Sequence, residues 1–358
     1  MRKMSGPTQW LCGAFALALS LTVAGCTPAP APPAGGATPA ATSGTDAPKA
    51  DGAPTDPAMM EGAKPEEGAA SAAPAGGTTI VLDGSSTVYP ISQAVAEAFK
   101  ETNADVEITV GLSGTGGGMK KFILGEIDIC DASRAIKTAE KEECAAKGIE
   151  FLELQVAIDG LSVVVHPENN WVDCITIAEL KKIWEKGSTV TKWNEVNPAW
   201  PAEPIALFGA DTDSGTFEYF TEVVNGKAKE SRTEYTASAN DNELVTGVSD
   251  NKYAMGYFGY GYYVENKDRL KALSIKKDDA AECIAPTAET IETGTYAPMA
   301  RPLFIYVNKA ALKRPEVAKF VEFYLSEAGQ EMVSERKFVR MPAAKWQEMK
   351  DALASALK

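Results

Sequence analysis

The chain has 358 residues, 23% of them charged, with a single histidine and a net charge of −14 at pH 7. Four basic and six acidic residues precede residue 79, so the remainder carries 31 basic against 43 acidic residues, a net −12. That balance disfavours a nucleic-acid ligand, which calls for a basic face. It also makes any anion ligand dependent on local dipoles and on one or two placed cations.

Residues 1–25 read as an export signal. Arg2 and Lys3 give a positive start, residues 11–21 are apolar, and the segment closes on Val23-Ala24-Gly25-Cys26. The apolar stretch is too short for a comfortable membrane span. Its ending resembles a bacterial lipobox, which implies cleavage before Cys26 and lipid on the Cys26 sulfur; the alternative is an ordinary signal peptide with an incidental cysteine. Residues 26–78 then form a low-complexity stretch of Ala, Pro, Gly and Thr. Such a stretch buries too little apolar surface to offset its ordering entropy, so a disordered tether is expected. Together these segments predict a body held at the membrane by a lipid, facing a periplasm or the cell surface.

Residues 79–358 suffice for two lobes with separate cores. Residues 79–82 and 106–110 read as buried strands. Between them, residues 90–100 place Ile91, Val95, Ala98 and Phe99 at helical spacing, with Pro90 near the first turn. Met119, Phe122 and Ile123 mark a short helix, and residues 127–130 a third strand. This alternation predicts an α/β unit with a parallel sheet and right-handed crossovers. Residues 161–165 and 205–208 begin a second such unit. Residues 216–224 read as a helix with Phe217, Phe220, Val223 and Val224 inward, and residues 253–263 as a packed helix near a lobe interface. Residues 302–307 read as a late strand, and 315–335 as helical. The expected division is lobe I at 79–159 plus 302–358 and lobe II at 160–301, each lobe a mostly parallel sheet flanked by helices, joined by two hinge crossings.

Three strands run into turns rich in hydroxyls and glycine that open helices: Gly84-Ser85-Ser86-Thr87, Ser113-Gly114-Thr115-Gly116-Gly117-Gly118 and Asp213-Ser214-Gly215-Thr216. Helix N-termini carry unpaired N–H groups and a positive dipole end, so each turn can seat an anion. In open α/β sheets ligands sit beyond the carboxyl ends of the strands, where these turns fall. Ser86 and Thr87 equally suit simple N-capping, and the glycine turn equally suits a tight strand-to-helix connection. Lys120 follows Met119 rather than a spaced glycine, which argues against a nucleotide P-loop. After the third strand, Asp131-Ala132-Ser133-Arg134 offers both signs of charge. Arg134 can grip an oxyanion with two parallel N–H bonds or pair with a nearby carboxylate. Asp131 or Asp213 can accept the proton that hydrogenphosphate still carries, which sulfate lacks at neutral pH; either Asp can equally be a turn former.

Asp213-Ser214-Gly215-Thr216 also matches the aspartic-protease signature, but no second copy stands in the right order. A serine hydrolase would need His166 as its base, and no Gly-x-Ser-x-Gly elbow exists. No cysteine spacing resembles a zinc site, so neither metal nor cofactor is expected. Export favours disulfides among Cys130, Cys144, Cys174 and Cys283, and we expect Cys130 with Cys144 and Cys174 with Cys283.

Residues 83–90, 113–121, 125–134 and 212–217, with parts of 171–184 and 301–307, resemble the phosphate-binding lipoproteins of the Pst-type phosphate ABC transporter. The likeness covers essentially all of 79–358. It implies a two-lobed periplasmic-binding-protein (Venus-flytrap) fold, a monomer without catalysis, that closes on inorganic phosphate and delivers it to permease subunits. Ser85, Ser86, Thr87, Ser113, Gly114, Thr115, Asp131, Ser133, Arg134, Asp213, Ser214, Gly215 and Thr216 are the implied ligand residues. Many members carry an arginine four residues before the serine of Ser-Gly-Thr, where this chain has Ala210; Arg134 is its natural substitute, resembling a branch with Asp-Ala-Ser-Arg. Another oxyanion (sulfate, arsenate, molybdate) or a hydrolytic role on Asp213 or Ser214 are the alternative readings.

Overall fold

The computed structural model describes residues 79–358; the export signal, Cys26 and the tether lie outside the described residues. Strands β1 (Thr79–Gly84), β2 (Glu107–Val110) and β3 (Ile129–Ala132) pair in parallel with β1 central. Helices α1 (Tyr89–Lys100) and α2 (Gly114–Ile123) make the crossovers. Ile91, Val95 and Phe99 form the buried stripe of α1, and Met119, Phe122 and Ile123 that of α2, as their spacing predicts. Helix α3 (Thr138–Lys147) follows and stops at Gly148, whose φ of 71° suits glycine.

Strand β4 (Phe151–Val165) is 15 residues long and buried without interruption from Val156 to Val165. After it come β5 (Cys174–Thr176), α4 (Ile177–Trp184), α5 (Trp193–Val196), β6 (Ala206–Ala210) and α6 (Gly215–Asn225). Then follow β7 (Thr236–Ser238), α7 (Asp241–Ser249), β8 (Ala254–Gly259), α8 (Tyr260–Glu265), β9 (Lys271–Ala272), β10 (Ser274–Lys276) and α9 (Ala288–Glu292). The chain returns through β11 (Ala300–Asn308) and ends in α10 (Pro315–Tyr324), α11 (Glu327–Glu335) and α12 (Ala343–Ala356).

One sheet runs through both lobes in the order β2-β1-β3-β11-β4-β8-β6-β7, with β9 on the far end of β4. The parallel sets are present in each lobe, β2-β1-β3 in one and β8-β6-β7 in the other. They are joined by β4 and β11, which run antiparallel to their neighbours, so the sheet is mixed. The first part of β4, to Gly160, pairs with β11; from Leu161 it pairs with β8. From Val156 onward the strand is buried on both faces, so burial shows no alternation where the partner changes.

Four apolar clusters cover the sheet faces. Ile80, Val95, Phe320 and Leu353 belong to one, and Met119, Phe122, Cys130 and Cys144 to another across the same lobe. Trp184, Trp193, Phe220 and Tyr257 centre the larger cluster of the second lobe, where the Phe220 and Tyr257 rings stack at 3.6 Å. Val164, Leu244 and Phe258 form the fourth.

Four local expectations are corrected. Strand β2, expected to be buried, is the edge strand, with Glu107 and Thr109 exposed and Ile108 and Val110 half-buried. Residues 253–263 are a strand followed by a helix, β8 and α8. Met255 and Tyr257 face one cluster while Ala254 and Phe258 face the other, a period of two that aromatic content obscures. The helical run at 315–335 breaks in two at Ser326, whose hydroxyl accepts the Gly329 N–H and caps α11. Cys174 is bonded to Cys283, where β5 and β10 pair and Ile275 bridges to Ile284. Cys130 and Cys144, however, are free buried thiols. Both pack into the apolar cluster of Met119 and Phe122 without meeting, and Cys130 Sγ donates instead to the Asp131 carbonyl at 3.6 Å; burial pushes both thiols up.

Candidate functional site

The sheet topology brings the carboxyl ends of β1, β2 and β6 toward a common cleft. It has a volume of about 650 Å3 and is lined by Ser86, Thr87 and Leu112 from one lobe, and by Asp213, Ser214, Gly215 and Thr216 from the other. Asp159 of β4 forms part of its floor, and Asp211, Asp241, Tyr262, Arg336 and Lys337 stand on its walls.

The first turn is organised from within. Ser85 is 2% exposed, and its hydroxyl accepts the N–H groups of Thr87 at 3.2 Å and Val88 at 3.4 Å. It therefore shapes the turn, an ordinary N-terminal capping role, and does not reach the cleft. Ser86 and Thr87 do.

The glycine turn is tied to the first turn rather than to the cleft wall. Asp83 Oδ1 accepts the Ser113 N–H at 2.9 Å, and Lys121 Nζ donates to Asp83 Oδ2. Burial raises the Asp83 carboxyl, but hydrogen bonds from Lys121 and Ser113 outweigh it and the net direction is down. A Cβ on Gly118 would stand 2.6 Å from Gly84 Cα, so the helix start needs glycine to pack against β1. Thr115 Oγ1 accepts the Ser133 N–H at 3.1 Å and lies 3.1 Å from Ser133 Oγ. Ser113, Gly114, Thr115 and Ser133 thus form a joined cluster beside the cleft and are not among its lining residues.

The third turn caps α6. Ser214 Oγ accepts the Thr216 N–H at 3.1 Å, and the Gly215 N–H, first in the helix, has no intrahelical partner. Gly215 lies directly against the first turn: a Cβ placed on it would be 2.8 Å from Thr87 N and closer still to Thr87 Oγ1. Turns from opposite lobes are therefore in contact.

Two expected ligand groups lie elsewhere. Asp131 is wholly buried under α1, where Ser92 Oγ donates to its Oδ1 at 3.0 Å and approaches the Tyr324 hydroxyl at 3.0 Å. Burial pushes this carboxyl up to about 8. As part of β3 its side chain takes the core face of the sheet, which removes it from the cleft. Arg134 forms a bidentate pair with Glu140, at 2.9 Å and 2.7 Å, and is not among the lining residues. Glu140 stands at the first turn of α3, where it also accepts the Lys137 N–H.

A different cation reaches the first turn. Arg301 of β11 donates from Nε to Asp159 Oδ2 at 3.3 Å and from an Nη to Thr87 Oγ1 at 3.0 Å. Its guanidinium lies 3.7 Å from the centre of the Tyr219 ring on α6. Register puts Arg301 directly opposite Asp159, so both side chains share one face of the sheet. Burial raises the Asp159 carboxyl, and the Arg301 charge opposes the shift. Burial also raises Asp241, to about 6, with the Asp211 charge adding to it. In sequence Arg301 is a charge in the otherwise uncharged β11, and Asp159 a charge in the buried part of β4, placements proteins rarely tolerate without pairing. His166 accepts the Glu168 N–H at 3.0 Å and does not line the cleft. Among the described residues, no group of three or more His, Cys, Asp or Glu is placed to hold a metal ion, and no helix is long and apolar enough to cross a membrane.

Comparison with known proteins agrees with this architecture. Residues 68–328 match the model of the PBP superfamily domain. The chain is 47% identical over 266 residues to Protein SphX of Synechococcus elongatus, covering 74% of this chain and 78% of that one. It is 39% identical over 272 residues to the phosphate-binding protein PstS of Staphylococcus saprophyticus, covering 76% and 83% respectively. A crystal structure of a possible phosphate binding protein from Planctomyces limnophilus superposes with a TM-score of 0.76 at 58% identity, over 78% of this chain and 99% of that one. The chain belongs to the periplasmic-binding-protein (PBP) superfamily and, within it, to the PstS family of phosphate-binding proteins.

Proposed function

We propose that this protein captures inorganic phosphate between its lobes outside the cytoplasm and hands it to the permease subunits of an ABC transporter, without catalysis. Ser86, Thr87, Ser214, Gly215 and Thr216 hold the anion, with Thr115 and Ser133 beside them on the first lobe and Arg134 engaged by Glu140. Lobe I comprises 79–159 and 302–358, lobe II comprises 160–301, and the lipid on Cys26 keeps the body at the membrane. The observation that carries the reading is the contact between Gly215 and Thr87. It sets the open N-terminus of α6 against the Ser86–Thr87 turn, so a small tetrahedral anion meets donors from both lobes at once. The net negative charge of the chain leaves those local donors as the source of affinity.

Calorimetric titration of the purified protein with phosphate, arsenate, sulfate and molybdate tests this. One phosphate per chain with sulfate at least a hundredfold weaker is expected. Absence of phosphate binding, or tighter sulfate or molybdate binding, overturns it.

A further inference from the structure

The hydroxyl of Thr87 has one proton to give and lone pairs to fill. Arg301 has donors only, and one of its Nη groups points at Thr87 Oγ1 from 3.0 Å. With that lone pair occupied from behind, the Thr87 O–H cannot donate to Arg301 and must donate elsewhere; the cleft is the open direction. Ser214 is arranged in the same way, its oxygen accepting the Thr216 N–H, which leaves its proton to face outward. Both hydroxyls at this junction are thereby set as donors, which suits the acceptor oxygens of an anion.

Arg301 is itself held by two further groups, one of them anchored in turn. Asp159 takes its Nε, Tyr219 supports its face, and the Tyr219 hydroxyl donates to the Pro298 carbonyl at 2.7 Å. Its side chain is 13% exposed, so the geometry is little diluted by water. Tyr219 lies on α6, the helix whose N-terminus forms the second-lobe half of the junction, whereas Thr87 belongs to the first lobe. A single guanidinium therefore touches the turn on one side and the helix on the other, from a strand that runs through the hinge.

We propose that Arg301 is a positioning residue for anion capture: it sets the direction of the Thr87 hydroxyl as a donor and ties that turn to α6. This rests on the phosphate reading above.

A double-mutant cycle in the full chain tests it, with phosphate affinity measured by calorimetry for the wild type, Thr87→Val, Arg301→Met and the double variant. Arg301→Met is expected to weaken phosphate at least tenfold when Thr87 is present and less than threefold in the Thr87→Val background. Equal losses in both backgrounds overturn the proposal, because packing or bulk charge would not depend on the hydroxyl. Since Arg301→Met strands the buried Asp159, the cycle is repeated in an Asp159→Asn background, with thermal melting to establish folding; the same coupling is expected and additivity there again overturns it. A wild type that does not bind phosphate removes the parent reading and this one together. A wild type that binds, with an additive cycle, removes only the role of Arg301.

Discussion

Gly215 packs against Thr87 across the cleft so closely that a Cβ on Gly215 would stand 2.8 Å from the Thr87 backbone nitrogen. Backbone cannot yield as the end of a flexible side chain can. Gly215→Ala should therefore hold the two turns apart while leaving each lobe's core intact. The expected outcome is a phosphate affinity at least tenfold lower, about 1.4 kcal/mol. The melting temperature without phosphate should stay within a few degrees of wild type. Unchanged affinity by calorimetry would show that the contact is not part of capture.

Asp131 predicts a pH dependence of stability. An unfolded aspartate titrates near pH 4, whereas burial pushes this one up to about 8 in the native protein. Between those values the native state keeps a proton that the unfolded chain has released. The contribution of this group is thus most favourable below about pH 4 and is lost as pH rises toward 8, by up to ~1.4 kcal/mol per unit. Asp131→Asn removes that loss. Urea denaturation at pH 5 and pH 8 should show the variant gaining on the wild type as pH rises; parallel profiles would refute the assignment.

The cysteines make a sharp chemical prediction. Peptide mapping without reduction should recover Cys174 and Cys283 cross-linked, with Cys130 and Cys144 alkylated only after denaturation. Cys174→Ser should lower stability by about 2–5 kcal/mol, because the bond closes a long loop in the unfolded chain. A Cys130–Cys144 cross-link in the native protein would contradict the structure.

Asp213 is the exposed carboxylate that lines the cleft beside Ser214 and Gly215. If it accepts the proton of hydrogenphosphate, it also repels sulfate, which has none to give. Asp213→Asn should then narrow the phosphate-to-sulfate preference at least tenfold, mainly by strengthening sulfate. Competition titrations at pH 7 measure the ratio directly, and an unchanged ratio assigns the selectivity elsewhere.

Much of the fold was legible because amphipathic elements carry their period openly. Ile91, Val95 and Phe99 mark α1, and the capping Ser214 with Gly215 marks the start of α6. The extent of β4 was hidden for the opposite reason: from Val156 it is buried on both faces, and only its first partner β11 and second partner β8 reveal that it passes through both lobes. At the site, Ser86, Thr87, Ser214, Gly215 and Thr216 came from local turn chemistry. Arg301 did not, because nothing near residue 301 announces that Asp159, Thr87 and Tyr219 will surround it.

The amino-acid sequence by itself determined the alternating strands and helices, the hydroxyl and glycine turns at helix starts and an acidic chain that must bind any anion through local donors. Each of these depends on neighbours within a few positions, where spacing and backbone geometry decide. Tertiary structure alone decided which carboxylates turn inward, which thiols stay free and which arginine meets the first turn. Those outcomes depend on strand register and burial, which join residues as far apart as Thr87 and Arg301 and set whether a charge faces solvent, a partner or the core.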